Sequence, residues 1–117
     1  MRVGAIHRDG NPIVPQAWLA NRPWSRLRGL LARPALQGDA MQALWLVPCG
    51  SVHTLGMRYP LDIVFLDGQG RVLDWHEALQ PWSARRCRKA RQTVEFAPGG
   101  INVLEPSHGE AWQWQAA

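Results

Sequence analysis

Cys49, His53 and Asp62 bring a thiol, an imidazole and a carboxylate into one apolar stretch, residues 49–67. Such groups can bind a metal ion, form a nucleophilic Cys–His pair, or act as an acid and a base. A polar group among apolar neighbours must be hydrogen-bonded or ionically paired, because burying it without a partner costs roughly 2–7 kcal/mol. The stretch is therefore either a structural polar cluster or the wall of a functional site.

The spacing of these residues completes neither a metal site nor a cysteine active site. Cys49-x-x-x-His53 could supply two ligands, but structural zinc sites normally need four, and His7, His76 and His108 lie in no complementary motif. A Cys–His nucleophile also needs a third orienting group, and no nucleophile signature surrounds Cys49. We therefore expect no metal, no cofactor and no cysteine-based catalysis.

Asp62 is the residue whose environment most needs an explanation. It lies in the run 61–66, where alternation along a strand leaves apolar residues on both faces, so the carboxylate is expected to be buried. A buried carboxylate needs hydrogen-bond donors. The candidate donors are backbone N–H groups and the side chains of Arg28, His53, Thr54 and Arg58. Asp62 either fixes the turn at 57–61 or contacts a ligand or a reacting group, and the sequence leaves both interpretations open.

The positive charge of the chain is concentrated in one segment. Five of the thirteen cations lie in residues 85–91, and without those five the net charge of +4 becomes −1 for the rest. We call these five the basic patch: Arg85, Arg86, Arg88, Lys89 and Arg91. A local patch can bind phosphate groups or acidic partners. Because the positive charge is confined to one segment and is not spread over a surface, nucleic-acid binding is not favoured. Cys87 lies among these cations and is expected to be the more reactive of the two thiols.

The length and composition indicate one globular domain spanning residues 1–117, with 46% apolar residues. Its seven tryptophans either fill a thin core or line a binding surface. No apolar run approaches the about 20 residues that span a bilayer, and residues 1–10 lack the pattern of a signal peptide. We therefore expect a cytoplasmic protein without membrane contact, with both cysteines reduced.

Short strands separated by turns are predicted to position these residues. The strands are predicted at 3–7, 13–19, 43–47, 52–57, 61–66, 71–77, 93–97, 101–104 and 111–115. Pro12 and Pro15 lack N–H donors and predict that the second strand lies at a sheet edge, and 98–100 predicts a turn that opens no helix. One helix is predicted near 23–32. The pattern indicates a mainly β fold at the margin of the α+β class. The expected architecture is a compact antiparallel sandwich or barrel.

Several motifs follow one another along the chain. They are the Arg-Gly-Leu helix end in 24–33, Pro48-Cys49 followed by Val52-His53-Thr54-x-x-Met57-Arg58, and 61–67 followed by Gly70-Arg71-Val72. With the segments 94–99 and 109–110, this order resembles an uncharacterised family, domain of unknown function 192, over about residues 14–115. Glu110 stands where the family usually has Asp.

The resemblance implies a compact, mainly β single domain with little helix, and it supplies no activity, cofactor or catalytic residue. The residues that match the core motif of the family are Arg28, Gly29, Met57, Asp62 and Glu95. Arg28 is a candidate partner of Asp62 or Glu95, because a bidentate arginine–carboxylate pair would tie a helix to the sheet.

We expect a non-catalytic binding or accessory module that holds a small polar ligand or a protein segment. The predicted site is a polar cluster of Arg28, His53, Thr54, Asp62 and Glu95, bordered by Trp45, Trp75 or Trp82. Two alternatives stay open. One is a small enzyme in which Asp62 and His53 act as acid and base, and the other is a domain that binds an acidic partner or nucleic acid through Arg85–Arg91.

Overall fold

The computed structural model describes residues 1–22, 35–54 and 57–117. Nine strands and one short helix form within them. The strands are β1 (Arg2–Arg8), β2 (Asn11–Ala20), β3 (Gln42–Leu46), β4 (Ser51–His53), β5 (Leu61–Leu66), β6 (Val72–Leu79), β7 (Ala84–Arg86), β8 (Gln92–Phe96) and β9 (Trp112–Ala116), and the helix is α1 (Gly100–Leu104). The prediction of a mainly β fold is confirmed, and the helix predicted near 23–32 lies outside the described residues.

Seven of the strands form one sheet in the order β6-β5-β8-β3-β2-β1-β9. Neighbouring strands are antiparallel, except that β2 and β3 are parallel. The two edge strands approach each other at a single bridge between Arg71 and Ala111, but the sheet does not close into a barrel. Strands β4 and β7 pair separately as a two-stranded ribbon. No helix among the described residues is long and apolar enough to cross a membrane.

The seven-stranded sheet has a hydrophobic core on each of its faces. On the first face, Val64, Phe96 and Trp112 belong to a core that α1 also contacts. On the second face, Leu44 and Ile63 belong to a separate core that includes Val52 of the ribbon. Every residue of β5 is buried, which explains why its sequence is apolar on both faces instead of alternating with polar residues.

The strands predicted at 3–7 and 13–19 form the β1–β2 hairpin, which turns at Asp9-Gly10. Both turn residues have positive φ, 53° and 77°, as the tight turn of a two-residue hairpin requires. The prediction that β2 lies at an edge is wrong, because β2 lies between β1 and β3. However, β3 pairs with β2 only from Gln16 onward. Pro12 and Pro15 therefore lie in the half of β2 that has no partner on that side.

The segment predicted as a strand at 101–104 is instead the helix α1, and the prediction that 98–100 opens no helix is also wrong. Gly99 precedes the helix with φ of 101°, a conformation that glycine adopts without strain. The N–H groups of Gly99 and Ile101 donate to the carboxylate of Asp62, both at 3.1 Å. A carboxylate distant in sequence thus fixes the direction in which the chain leaves this turn.

Candidate functional site

Asp62 is enclosed by backbone donors. Its side chain is 1% exposed, and Oδ1 accepts the N–H of Ala78 at 2.8 Å. Oδ2 accepts the N–H groups of Gly99 and Ile101 at 3.1 Å. The carboxylate therefore joins the end of β6 and the start of α1 to the buried strand β5. Its role in these contacts is structural, because both oxygens are already bonded to the main chain.

Thr54 fixes the connection between β6 and β7 in a similar way. Its hydroxyl donates to the carbonyl of Gln80 at 2.6 Å and accepts the N–H of Ser83 at 2.8 Å. Its carbonyl also accepts the N–H of Trp82 at 3.0 Å. The tryptophan that these contacts hold is 70% exposed and has a left-handed φ of 61°. Thr54 itself is fully buried, so it supports this surface without being part of it.

Glu95 lies on the opposite face of the sheet from Asp62. It pairs in register with Leu44 and Ile63, both in the core of the second face. Burial raises the pKa of Glu95 from 4.5 to about 7. The hydroxyl of Tyr59, which has no hydrogen-bond partner among the described residues, lies within the electrostatic influence of this carboxyl. The pKa of Tyr59 is raised by its own burial and then by Glu95.

The remaining residues of the predicted polar cluster do not join these two carboxyl groups. His53 is exposed on the ribbon, and no hydrogen bond connects it to Asp62 in the part of the chain that the structure describes. Arg28 lies outside the described residues, so its pairing with either carboxylate stays a prediction. The structure thus distributes the predicted cluster over two faces of a sheet and a separate ribbon.

The three tryptophans predicted to border the site are also separated. Trp45 is buried in the first core, where its indole N–H donates to the Gln92 side chain at 2.8 Å. Trp75 lies against the ring of His108, with 4.6 Å between ring centroids. Trp82 is exposed beside the ribbon. They do not form one aromatic wall.

A cleft of about 450 Å³ lies beside the ribbon, where the basic patch folds against the segment that follows β3. It is a shallow depression that is widely open to solvent, and not an enclosed cavity. We call it the basic cleft, and its lining residues are Pro48, Cys49, Gly50, Ser51, Arg86, Cys87, Arg88, Ala90 and Arg91.

Backbone hydrogen bonds hold the two walls of the basic cleft together. The N–H of Cys49 donates to the carbonyl of Arg91 at 2.7 Å, and the N–H of Cys87 donates to the carbonyl of Gly50 at 3.0 Å. Arg91 is in turn bonded through its N–H to Leu66 at the end of β5, at 2.9 Å. Gly50 permits the close approach, because a Cβ there would lie 2.8 Å from the carbonyl oxygen of Ala90.

Three arginines and no acidic residue line the basic cleft. They are Arg86, Arg88 and Arg91, and the guanidinium group of Arg91 donates to the carbonyl of Ala90 at 3.0 Å. Two other members of the basic patch do not line it. Arg85 instead donates to Nδ1 of His76 at 3.4 Å, and Lys89 is exposed outside the lining. The cleft therefore separates the basic patch into residues that surround a concave volume and residues that do not. Within the described residues, no group of three or more His, Cys, Asp or Glu is arranged for a metal ion.

Both walls of the basic cleft are visible in the sequence, but the cleft is not. The thiol of Cys49 and the basic patch are separate features of the sequence, because nothing local indicates that they meet. The strand predicted at 52–57 starts one residue later than β4 does and extends beyond its end. Strand β7 lies between the strands predicted at 71–77 and 93–97, where no strand was predicted. The pairing of Ser51 with Arg86 is what brings the two walls together.

The chain belongs to the uncharacterised family named domain of unknown function 192 (DUF192), which is described as "Uncharacterized ACR". The sequence model of this family matches residues 5–114. The resemblance drawn from the motifs is thus confirmed. No curated protein matches the chain.

Two solved structures are similar to this chain along most of its length. One is a Sinorhizobium meliloti protein described as a "putative transcription regulator", with a TM-score of 0.77 and 22% identity over 97% of this chain and 92% of the other. The second is a protein of unknown function from Novosphingobium aromaticivorans, with a TM-score of 0.77 and 19% identity over 96% of this chain and 84% of the other. At these identities the likeness shows the fold alone.

Proposed function

We propose that this domain is a non-catalytic binding module whose basic cleft takes a small anion that carries phosphate or carboxylate groups. The observation that carries the proposal is a concave volume of about 450 Å³ bounded by Arg86, Arg88 and Arg91 without a carboxylate. Three like charges around one volume repel one another, and a bound anion relieves this repulsion. Guanidinium groups are also suited to bidentate hydrogen bonds with phosphate and carboxylate.

The polar cluster predicted from the sequence supports a ligand site less well. Both oxygens of Asp62 accept main-chain hydrogen bonds, and His53 is exposed on a different sheet. An acid–base pair needs both groups within reach of one substrate atom. We therefore place the ligand in the basic cleft.

A small anion also fits the cleft better than nucleic acid does. A duplex is recognised by cations spread along a surface so that many phosphates are neutralised, whereas here the cations surround one pocket. The description of the S. meliloti protein as a transcription regulator makes nucleic acid worth including in the test. Binding of nucleic acid is therefore one possible outcome of the test below and is not part of the proposal.

Calorimetric titration of the reduced protein with inorganic pyrophosphate and with citrate tests the proposal. The titration is done at low ionic strength, because screening weakens interactions of exposed charges beyond about 10 Å at 0.1 M salt. We expect saturable binding with one ligand per chain. Arg88→Gln is expected to weaken it about tenfold, because a charge-assisted hydrogen bond contributes roughly 1.5–3 kcal/mol and 1.4 kcal/mol is tenfold.

Lys89→Gln is the matched control. It removes the same charge from the neighbouring position, but Lys89 does not line the cleft, so affinity should change less than about twofold because only screened long-range attraction is lost. Equal weakening by Arg88→Gln and Lys89→Gln would show diffuse attraction to the patch and contradict a site. Binding of a DNA duplex more tightly than pyrophosphate would contradict the small-anion proposal and favour nucleic acid.

A further inference from the structure

The basic cleft also contains both thiols of the chain. Cys49 and Cys87 are free and half-buried, both line the cleft, and both contact the core of the second sheet face. The anion-binding role proposed above uses the arginines only. Two nucleophilic side chains in one arginine-lined cleft are therefore left without a role.

The backbone brings the two cysteines close to each other. In the ribbon, Ser51 pairs with Arg86, and the N–H of Cys87 continues this ladder by donating to Gly50 at 3.0 Å. Cys49 is thus the chain neighbour of the residue opposite Cys87. Both cysteines lie beyond the ends of β4 and β7, line the same cleft and pack against the same core, so the face alternation of a regular strand does not separate them. A disulfide needs Cα atoms about 4.4–6.8 Å apart, and one between Cys49 and Cys87 requires the segments beyond the two strand ends to adjust.

The two sulfur atoms differ in their contacts. Sγ of Cys49 donates to the carbonyl oxygen of Ser51 at 3.1 Å. Among the described residues no hydrogen bond involves Sγ of Cys87, and its chain neighbours are Arg86 and Arg88. Cys87 is therefore the freer nucleophile, next to guanidinium groups that attract a negatively charged reactant.

We propose that the basic cleft undergoes thiol–disulfide exchange with small disulfides that carry negative charge, in which Cys87 attacks and Cys49 resolves. The inference rests on the proposed function, because the arginines that hold the anion also place the charged disulfide beside Cys87. The reaction is stoichiometric: each chain takes up the oxidising equivalent of one disulfide and stores it as a Cys49–Cys87 bond.

The exchange balances in two steps. The Cys87 thiolate, after its proton passes to solvent, attacks one sulfur of the small disulfide, forming a mixed disulfide and expelling the other half as a thiolate. The Cys49 thiol also releases its proton to solvent, and its thiolate then attacks the sulfur of Cys87, forming the intramolecular disulfide and expelling the second half. Both released thiolates take protons from solvent. The small disulfide is reduced to two thiols, and the two cysteines are oxidised.

The test compares oxidised glutathione, which carries carboxylates, with uncharged 2-hydroxyethyl disulfide on the reduced full chain. Intact-mass spectrometry follows the products, and each rate is divided by the rate of the same protein unfolded in urea. We expect a protein lighter by two hydrogens, and a normalised rate with oxidised glutathione about tenfold above that with the uncharged disulfide, as electrostatic attraction provides. Equal normalised rates, or a wild-type protein that retains one adduct on each cysteine, would overturn the proposal.

Variants assign the roles of the individual residues. Cys49→Ser is expected to accumulate the mixed disulfide on Cys87, and Cys87→Ser is expected to react slowly. Arg88→Gln should slow the reaction with oxidised glutathione about tenfold and leave the uncharged disulfide unaffected, whereas Lys89→Gln should change neither rate by more than about twofold. Rates that fall equally for both disulfides in Arg88→Gln would indicate a structural effect and contradict the proposal.

Pyrophosphate titration of the double variant Cys49→Ser/Cys87→Ser separates this inference from the proposed function. Retained pyrophosphate binding together with unselective thiols would refute the exchange and leave anion binding intact. Absence of pyrophosphate binding to the wild-type protein, with selective exchange still observed, would refute the proposed function alone.

Discussion

The buried carboxyl of Glu95 should make the free energy of unfolding depend on pH by an amount that can be calculated. Burial on the second face of the sheet raises its pKa to about 7 from an ordinary value of 4.5. Between pH 4.5 and about 7, the folded protein therefore keeps a proton on Glu95 that the unfolded chain has already released. Where the folded state binds more protons, the free energy of unfolding falls as pH rises.

The size of this effect follows from the two pKa values. At about 1.4 kcal/mol per unit of pH, the interval from 4.5 to about 7 corresponds to roughly 3 kcal/mol. The stabilising contribution of the protonated carboxyl is complete below pH 4.5, declines through the interval, and is lost above about 7. Glu95→Gln keeps the shape and the neutral form at every pH, so it should retain this stability in alkaline solution.

Urea denaturation followed by tryptophan fluorescence measures the effect at a series of pH values from about 5 to about 8. The difference between Glu95→Gln and wild type cancels the other titrating groups, and we expect it to grow with pH to roughly 3 kcal/mol in favour of the variant. Glu77→Gln, at an exposed position of β6, is the matched control and should show no such growth. A constant difference between Glu95→Gln and wild type across the range would refute the reasoning.

Other predictions concern the backbone that surrounds the candidate site. Asp62→Asn leaves at least one buried N–H without an acceptor and should destabilise the fold by about 1–3 kcal/mol, measured by urea denaturation. Asp74→Asn, at an exposed position, should cost less than about 0.5 kcal/mol, and equal costs would contradict a structural role for Asp62. Ala78→Gly should stabilise the fold by up to about 1 kcal/mol, seen as a higher melting temperature, because Ala78 has φ of 51°; a lower melting temperature would contradict this. Gly50→Ala should weaken pyrophosphate binding in the titration, because the new Cβ would lie 2.8 Å from the carbonyl oxygen of Ala90; unchanged affinity would show that the cleft tolerates the shift.

Features determined by local sequence could be predicted for this chain. The hairpin at Asp9-Gly10 follows from residues that adopt positive φ, and the bounds of β5 follow from an apolar run between turn signals. The burial of Asp62 also followed from the apolar residues on both sides of it. In each of these cases the neighbouring residues determine the result.

Features that depend on residues far apart in sequence could not be predicted. The short run 101–104 is compatible with a strand or a helix, and the carboxylate of Asp62 contributes to the choice from about 40 residues away. The sequence also could not decide between side-chain and backbone donors for Asp62. The basic cleft depends on the register between β4 and β7, which tertiary packing determines.

The most direct test of the central claim is the amide NMR spectrum of the reduced protein during titration with inorganic pyrophosphate. If a small anion binds in the basic cleft, saturable shift changes should be confined to residues 49–51 and 86–91, and Arg88→Gln should shift the titration to higher pyrophosphate concentration. Changes centred on His53 and Thr54 instead, or an unchanged spectrum at low ionic strength, would contradict the account.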